Sequence, residues 1–237
     1  MPEFMILIHE NEREQERMAP SETRQLIEAH TTYVKALKAA GAYRDGERLR
    51  PSAEGRRVRA RAGRAEVVPG PFAEQDRALA GFYLVHADDL AAAVSLAESC
   101  PMAAGDTLDV RPLMKGEVRA DKTDARGKTF AFAVLGDAPN ERAWVDVMDR
   151  IDAETRGHFE PDRFLGGVRL EPPGRGRQVV SRGGKRAMMD GPFLESKEVI
   201  GGLFFMRMAS IDEAVEWAAT TKFVQHGALE VRELWRS

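Results

Sequence analysis

The chain has 237 residues, 35 basic against 38 acidic side chains for a net charge of -3, 43% apolar residues and a single cysteine. This is ordinary globular composition, so wholesale disorder is excluded and a general polyanion or nucleic-acid binder is disfavoured. One cysteine forms no disulfide within the chain, and the apolar run Phe4–Ile8 is too short for a signal-peptide core or a membrane span, so a cytoplasmic protein is expected.

In chain order, Phe4–Ile8 reads as a strand. A helix follows with Leu26, Ile27, His30, Tyr33, Val34 and Leu37 on one stripe, ending near Gly41. The alternation in Arg57–Arg61 and the turn Ala62-Gly63-Arg64 form a hairpin whose arginines are expected on a solvated face. Gly81–Val85 is a strand, Leu90, Ala93, Val94 and Ala97 line a short helix, and Leu108–Leu113 closes the unit. Lys115–Lys128, charged throughout, reads as a linker. The series then starts again: strand Thr129–Val134, a helix carrying Trp144, Val147, Met148 and Ile151, strand Gly202–Met206, a helix with Ile211, Ala214, Val215 and Ala218 inward, and a closing Leu229–Leu234. Ser210 with Glu213 three residues on is a capping box.

The second series is a copy of the first. GPFAE at Gly70–Glu74 returns as GPFLE at Gly191–Glu195, an offset of 191 − 70 = 121. At that offset Leu49–Leu113 lies on Leu170–Leu234 without a gap, with 19 identical positions. Chance does not produce such a match, and a period of this size marks a duplicated unit. The expected organisation is a first repeat over 1–114, a linker over 115–128 and a second repeat over 129–237. Two βαβ halves per repeat describe an α+β fold of tandem ferredoxin-like plaits with both helices on one sheet face. Phe82–Val85 and Leu203–Met206 are apolar on both alternating faces, as strands buried on both sides are. The free sheet faces are therefore expected to be covered, either by packing sheet to sheet as an intramolecular pseudo-dimer or by a second chain in a homo-oligomer.

Asp190-Gly191-Pro192-Phe193-Leu194-Glu195-Ser196-Lys197-Glu198, followed by Gly201-Gly202-Leu203-Phe204-Phe205, resembles the signature of the YCII-related proteins of the DGPF type. Leu49-Arg50-Pro51-Ser52 and the closing Leu-x-Val-Arg strands fit the same family, so the resemblance spans both repeats. It implies an α+β plait that pairs into a dimeric barrel. In the wider structural group, it implies small-molecule lyases, isomerases or monooxygenases that use the cleft between sheet and helices. The alternative to an enzyme is a non-enzymatic scaffold or accessory protein whose apolar sheet faces serve assembly; genes of this type often lie near alternative sigma factors, which adds an accessory role in transcription. The first repeat departs from the signature: Pro69 stands at the position of Asp190, and Gln75-Asp76-Arg77 at that of Ser196-Lys197-Glu198.

Two roles are open for the motif. As a turn, aspartate accepts a backbone hydrogen bond, glycine and proline set the dihedrals, and phenylalanine anchors the loop. As a site, Asp190 is a carboxylate at a cleft mouth, with Glu74, Glu195 and Lys197 as ligand contacts. His30 is the second catalytic candidate, at a place where YCII-type proteins can carry a histidine considered catalytic. Ile151 stands 121 residues on, so the histidine is not duplicated. The competing reading makes His30 a hydrogen-bonded core residue. His9 and His86 end strands and could face a cleft. No two histidines have metal-pair spacing, no Gly-rich strand–loop–helix motif is present, and aromatics are not interleaved with the arginines. The expectations are therefore an unknown small molecule as partner, with no metal, no cofactor, no nucleic acid and no membrane.

Overall fold

A computed structural model describes residues 1–72, 77–118, 127–136, 141–155, 157–182, 185–190 and 199–235. The first repeat runs β1 (Glu3–Glu10), α1 (Glu12–Arg17), α2 (Pro20–Ala39), β2 (Tyr43–Arg48), the hairpin β3 (Arg56–Arg61) and β4 (Arg64–Pro69), β5 (Ala78–His86), α3 (Leu90–Glu98) and β6 (Thr107–Val118). The second runs β7 (Lys128–Gly136), α4 (Glu141–Thr155), β8 (Phe164–Leu170), the hairpin β9 (Arg177–Arg182) and β10 (Lys185–Asp190), β11 (Val199–Met208), α5 (Ile211–Thr220), α6 (Phe223–His226) and β12 (Ala228–Glu233). This is the expected α+β pair of ferredoxin-like repeats.

The described residues divide into two compact units, and these are not the repeats. In the first unit the antiparallel order is β2-β5-β1-β6, the plait of repeat one, continued by β9 and β10 of repeat two. In the second unit the order is β8-β11-β7-β12, continued by β3 and β4 of repeat one. Each repeat thus hands its hairpin to the other repeat's closing strand, and in the same register. Thr107 faces Val180 and Val110 faces Arg177, just as Ala228 faces Arg59 and Val231 faces Arg56. The exchange joins a strand edge that would otherwise carry unpaired amide and carbonyl groups.

Local chemistry places the elements as the sequence directs. The Ser210 hydroxyl accepts from the Glu213 amide and the Glu213 carboxylate accepts from the Ala209 amide at 2.5 Å, which closes the capping box that starts α5. Ala62 and Gly63 have φ of 51° and 76°, the left-handed pair that turns the β3–β4 hairpin. In the first unit, Phe4, Ile6 and Ile8 pack with Tyr33, Leu37, Tyr83, Val85, Ala93 and Val94 under α2 and α3. In the second, Phe130, Phe132 and Val134 pack with Trp144, Met148, Phe204, Ala214 and Phe223. The opposite sides of the same strands, Met5, Leu7, Phe82, Leu84, Leu203 and Phe205, are also buried, as their two-sided apolar pattern requires.

Strand β6 continues through Val118 and β7 begins at Lys128, so both ends of the charged stretch are strand; two other expectations are corrected. Gly116 makes the continuation possible: its φ is 120°, and a Cβ there would lie 2.2 Å from the Gly167 carbonyl oxygen. Ile27 is exposed, since the buried face of α2 narrows to Tyr33 and Leu37. Arg57 is buried rather than solvated. Its guanidinium donates to Glu230 at 3.0 Å and stacks 4.4 Å from the Phe72 ring, because β3 has become an inner strand beside β12.

Candidate functional site

Among the sequence-predicted site residues, His30 is the one whose side chain lies within the described structure. Glu74, Glu195 and Lys197 lie outside the described residues, as does the Asp190 side chain. The Asp190 backbone ends β10, opposite Arg177.

Helix α2 begins at Pro20, with the Ala19 amide donating to the Glu22 carboxylate at 2.7 Å, and it turns His30, Tyr33 and Leu37 toward the sheet. Tyr83 rises from β5 to meet them. Its hydroxyl lies 2.9 Å from His30 Nδ1, with the donor set by the imidazole tautomer, and its ring meets Tyr33 edge-on at 5.2 Å. The Tyr33 hydroxyl donates to the Leu96 carbonyl at 3.0 Å. Tyr83 fits because position 46 is glycine, where a Cβ would stand 2.6 Å from the tyrosine ring.

The electrostatics hold this group neutral. Burial, aided by the positive charge of Arg48, pushes the His30 imidazole down to about 4. Burial raises the Tyr33 and Tyr83 phenols above their ordinary range, with Cys100 adding to both, and raises the Cys100 thiol to about 12. At neutral pH the site therefore presents an uncharged imidazole hydrogen-bonded to an uncharged phenol.

A second polar group lies on the other face of the same sheet. His9 stands opposite Thr107, and its pKa falls to about 4 through burial and the nearby Arg77 and Arg111. The Asp109 carboxylate accepts from Arg111 at 3.4 Å through one oxygen, while its buried Oδ1 has no hydrogen-bond partner among the described residues. In the second unit the matching positions are fully engaged: Glu230 accepts from Arg57 and from Arg232, each at 3.0 Å, and Arg232 also donates to the Arg50 carbonyl.

The second unit has no counterpart of the imidazole–phenol pair. At the 121-residue offset Tyr83 becomes Phe204, Gly46 becomes Gly167, Arg48 becomes Arg169 and His30 becomes Ile151. All four of these second-repeat residues line a cavity of about 330 Å³. Sequence reading passed over Tyr83 as one residue of an apolar strand. The signal that marks it is the Tyr/Phe difference between otherwise parallel repeats. Among the described residues, no group of three or more His, Cys, Asp or Glu side chains could hold a metal ion, and no helix is long and apolar enough to cross a membrane.

Comparison with known proteins matches the model of the YCII-related domain twice, over residues 3–116 and 121–237. An uncharacterized protein of Rhizobium meliloti (strain 1021) is 32% identical over 90 residues, which span 37% of this chain and 73% of that protein. Two solved structures are similar along nearly the whole chain. A candidate chlorite dismutase is 9% identical, covering 100% of this chain and 96% of its own, with a TM-score of 0.42. A candidate monooxygenase from Fusobacterium nucleatum is 13% identical, covering 98% and 91%, with a TM-score of 0.41. Neither likeness is close enough to carry chemistry across.

Proposed function

We propose that this chain, which belongs to the YCII-related domain family, binds a small molecule against α2 of its first unit and moves a proton there, as a cofactor-independent lyase or isomerase does. The observation that carries the reading is the His30–Tyr83 contact of 2.9 Å on a half-buried, uncharged histidine. With Nδ1 engaged by the phenol, Nε2 is the nitrogen that meets the ligand. Burial makes the imidazole a weak base when the site is empty, and an anionic substrate supplies the counter-charge that restores its proton affinity. Asp190 is kept as a separate proton-transfer candidate, with Glu74, Glu195 and Lys197 as candidate ligand contacts.

The rival reading is an accessory or scaffold protein, favoured by the hairpin exchange, in which strand edges and both faces of the central strands serve assembly. Turnover on a panel of small-molecule acids and ketones, with wild type, His30→Gln and Asp190→Asn, separates the two. The enzyme reading expects a turning-over substrate whose rate falls at least about a hundredfold in His30→Gln with little change in melting temperature. Turnover insensitive to both substitutions overturns the role of these two residues, and no turnover on any compound favours the scaffold.

A further inference from the structure

The second unit carries a cavity that the proton-transfer reading does not use. It lies on the helix side of the β7–β11–β8 strands, under α4 and α6. Phe159, Phe164, Phe204 and Phe223 give it aromatic walls, and Ile151 and Met148 complete the apolar lining. The rings pack closely: Phe204 meets Phe223 at 5.2 Å and Phe159 at 5.3 Å, and Phe159 meets Phe164 at 4.5 Å. Room is kept by glycine at 167, 201 and 202. A Cβ on Gly201 would come within 2.8 Å of the Met148 methyl.

The lining carries two charged side chains, Lys115 and Arg169, and both are cationic. Arg169 is buried in the wall, where its guanidinium donates to the Val145 carbonyl at 3.1 Å and to the exposed carboxylate of Asp149 at 2.7 Å. Lys115 and Gly116 are exposed, while Phe159, Phe164 and Gly167 are half-buried, so the mouth opens on the cationic side. An aromatic-lined space with two cationic side chains, beside the Asp149 carboxylate, suits a flat apolar molecule bearing an anionic group.

We propose that the second unit is a binding site for an aromatic carboxylate, its rings among Phe159, Phe164, Phe204 and Phe223 and its carboxylate toward Arg169 and Lys115. An apolar cavity of ~150 Å³ already accepts benzene, so the volume here suits a two-ring acid. Charge-assisted hydrogen bonds to a guanidinium or ammonium hold the anionic end. The site goes beyond the proton-transfer reading and does not depend on it.

The test uses 2-naphthoate as probe, its neutral amide 2-naphthamide as control, and tryptophan fluorescence as readout. Trp217 packs 5.7 Å from Phe204, and Trp144 lies beside Gly201. The naphthoate is expected to bind saturably, at least about tenfold tighter than the amide. Ile151→Phe, which fills the cavity, weakens the naphthoate by about tenfold or more. Where that variant does not fold, Gly201→Ala, which pushes the flexible Met148 end into the space, weakens it in the same direction. Asp149→Asn removes the carboxylate that competes for Arg169 and tightens binding by about two- to fivefold, an effect that a purely structural ion pair would not produce. Equal affinity for acid and amide overturns the proposal, as does an absence of saturable binding or wild-type affinity in the cavity-filling variants. His30→Gln leaves the naphthoate affinity unchanged, so failure of this site and failure of the proton-transfer site are read separately.

Discussion

The two units share a strand order, a hairpin register and a set of helix-side positions, yet one holds a polar pair where the other holds a cavity. In the first, Tyr83 reaches His30 over Gly46 and places two protic groups under α2. In the second, Phe204 and Ile151 stand at the matching positions and a space of about 330 Å³ stays lined by rings. A hydroxyl and an imidazole give way to a phenyl ring and an isoleucine without disturbing the strands. The lesson is that a duplicated plait tolerates divergence on its helix side because the backbone pairing is set elsewhere, in the strand register.

The comparison is broken hardest at the exchanged hairpins. Glu230 accepts from two buried arginines, Arg57 and Arg232, so Glu230→Ala removes a shared buried counter-charge and is expected to cost about 3–5 kcal/mol in urea unfolding. In the first unit the position of Arg57 is Gln178, and Asp109 meets Arg111 at 3.4 Å through one oxygen. Burial already raises the Asp109 pKa, so Asp109→Ala is expected to cost under about 2 kcal/mol. Equal costs would mean that the two buried charge groups are equivalent after all.

Exchanging the helix-side residues sharpens the contrast further. Phe204→Tyr brings a hydroxyl into an aromatic wall without an imidazole to meet it, and is expected to cost about 1–3 kcal/mol. The reverse change, Tyr83→Phe, removes a single hydrogen bond and is expected to cost about 1 kcal/mol, the smallest effect in the series.

Between these lies a pH effect confined to the first unit. His9 and His30 bind protons near pH 6.5 when unfolded but only near pH 4 when folded. The unfolded state takes up more protons across that window, so their contribution to stability is complete above about pH 6.5 and is lost as pH falls toward 4. With His30 half-buried, its share is about 1–2 kcal/mol, and His30→Gln should flatten the stability profile by that amount. Hydrogen exchange followed from pH 7 to pH 4.5 should show first-unit amides losing protection before second-unit ones. Simultaneous loss in both units would show that the histidines do not set the acid limit.

Much of this was legible in the sequence. The 121-residue offset gave the duplication, Ser210 with Glu213 marked the start of α5, and the two-sided apolar strands announced their burial, because each is a local pattern with a local cause. His30 was picked out by its place on an apolar stripe, but its partner was not, since Tyr83 is distant in sequence and reads as one more strand residue. Arg57 was misread because strand alternation tells which face a side chain takes and not what lies beyond the strand's edge.

By itself, then, the sequence determined the repeated α+β unit, the order of its strands and helices, and the side chains that make the two helix faces differ. Only the tertiary structure decided which hairpin joins which sheet, and with it the burial of Arg57 against Glu230. The physical reason is that the two accepting edges, Leu108-Asp109-Val110-Arg111 and Leu229-Glu230-Val231-Arg232, carry nearly the same pattern, so local chemistry fits either hairpin to either edge. The pairing is made at long range, between segments more than a hundred residues apart in the β3–β12 pair, where no local pattern reports it.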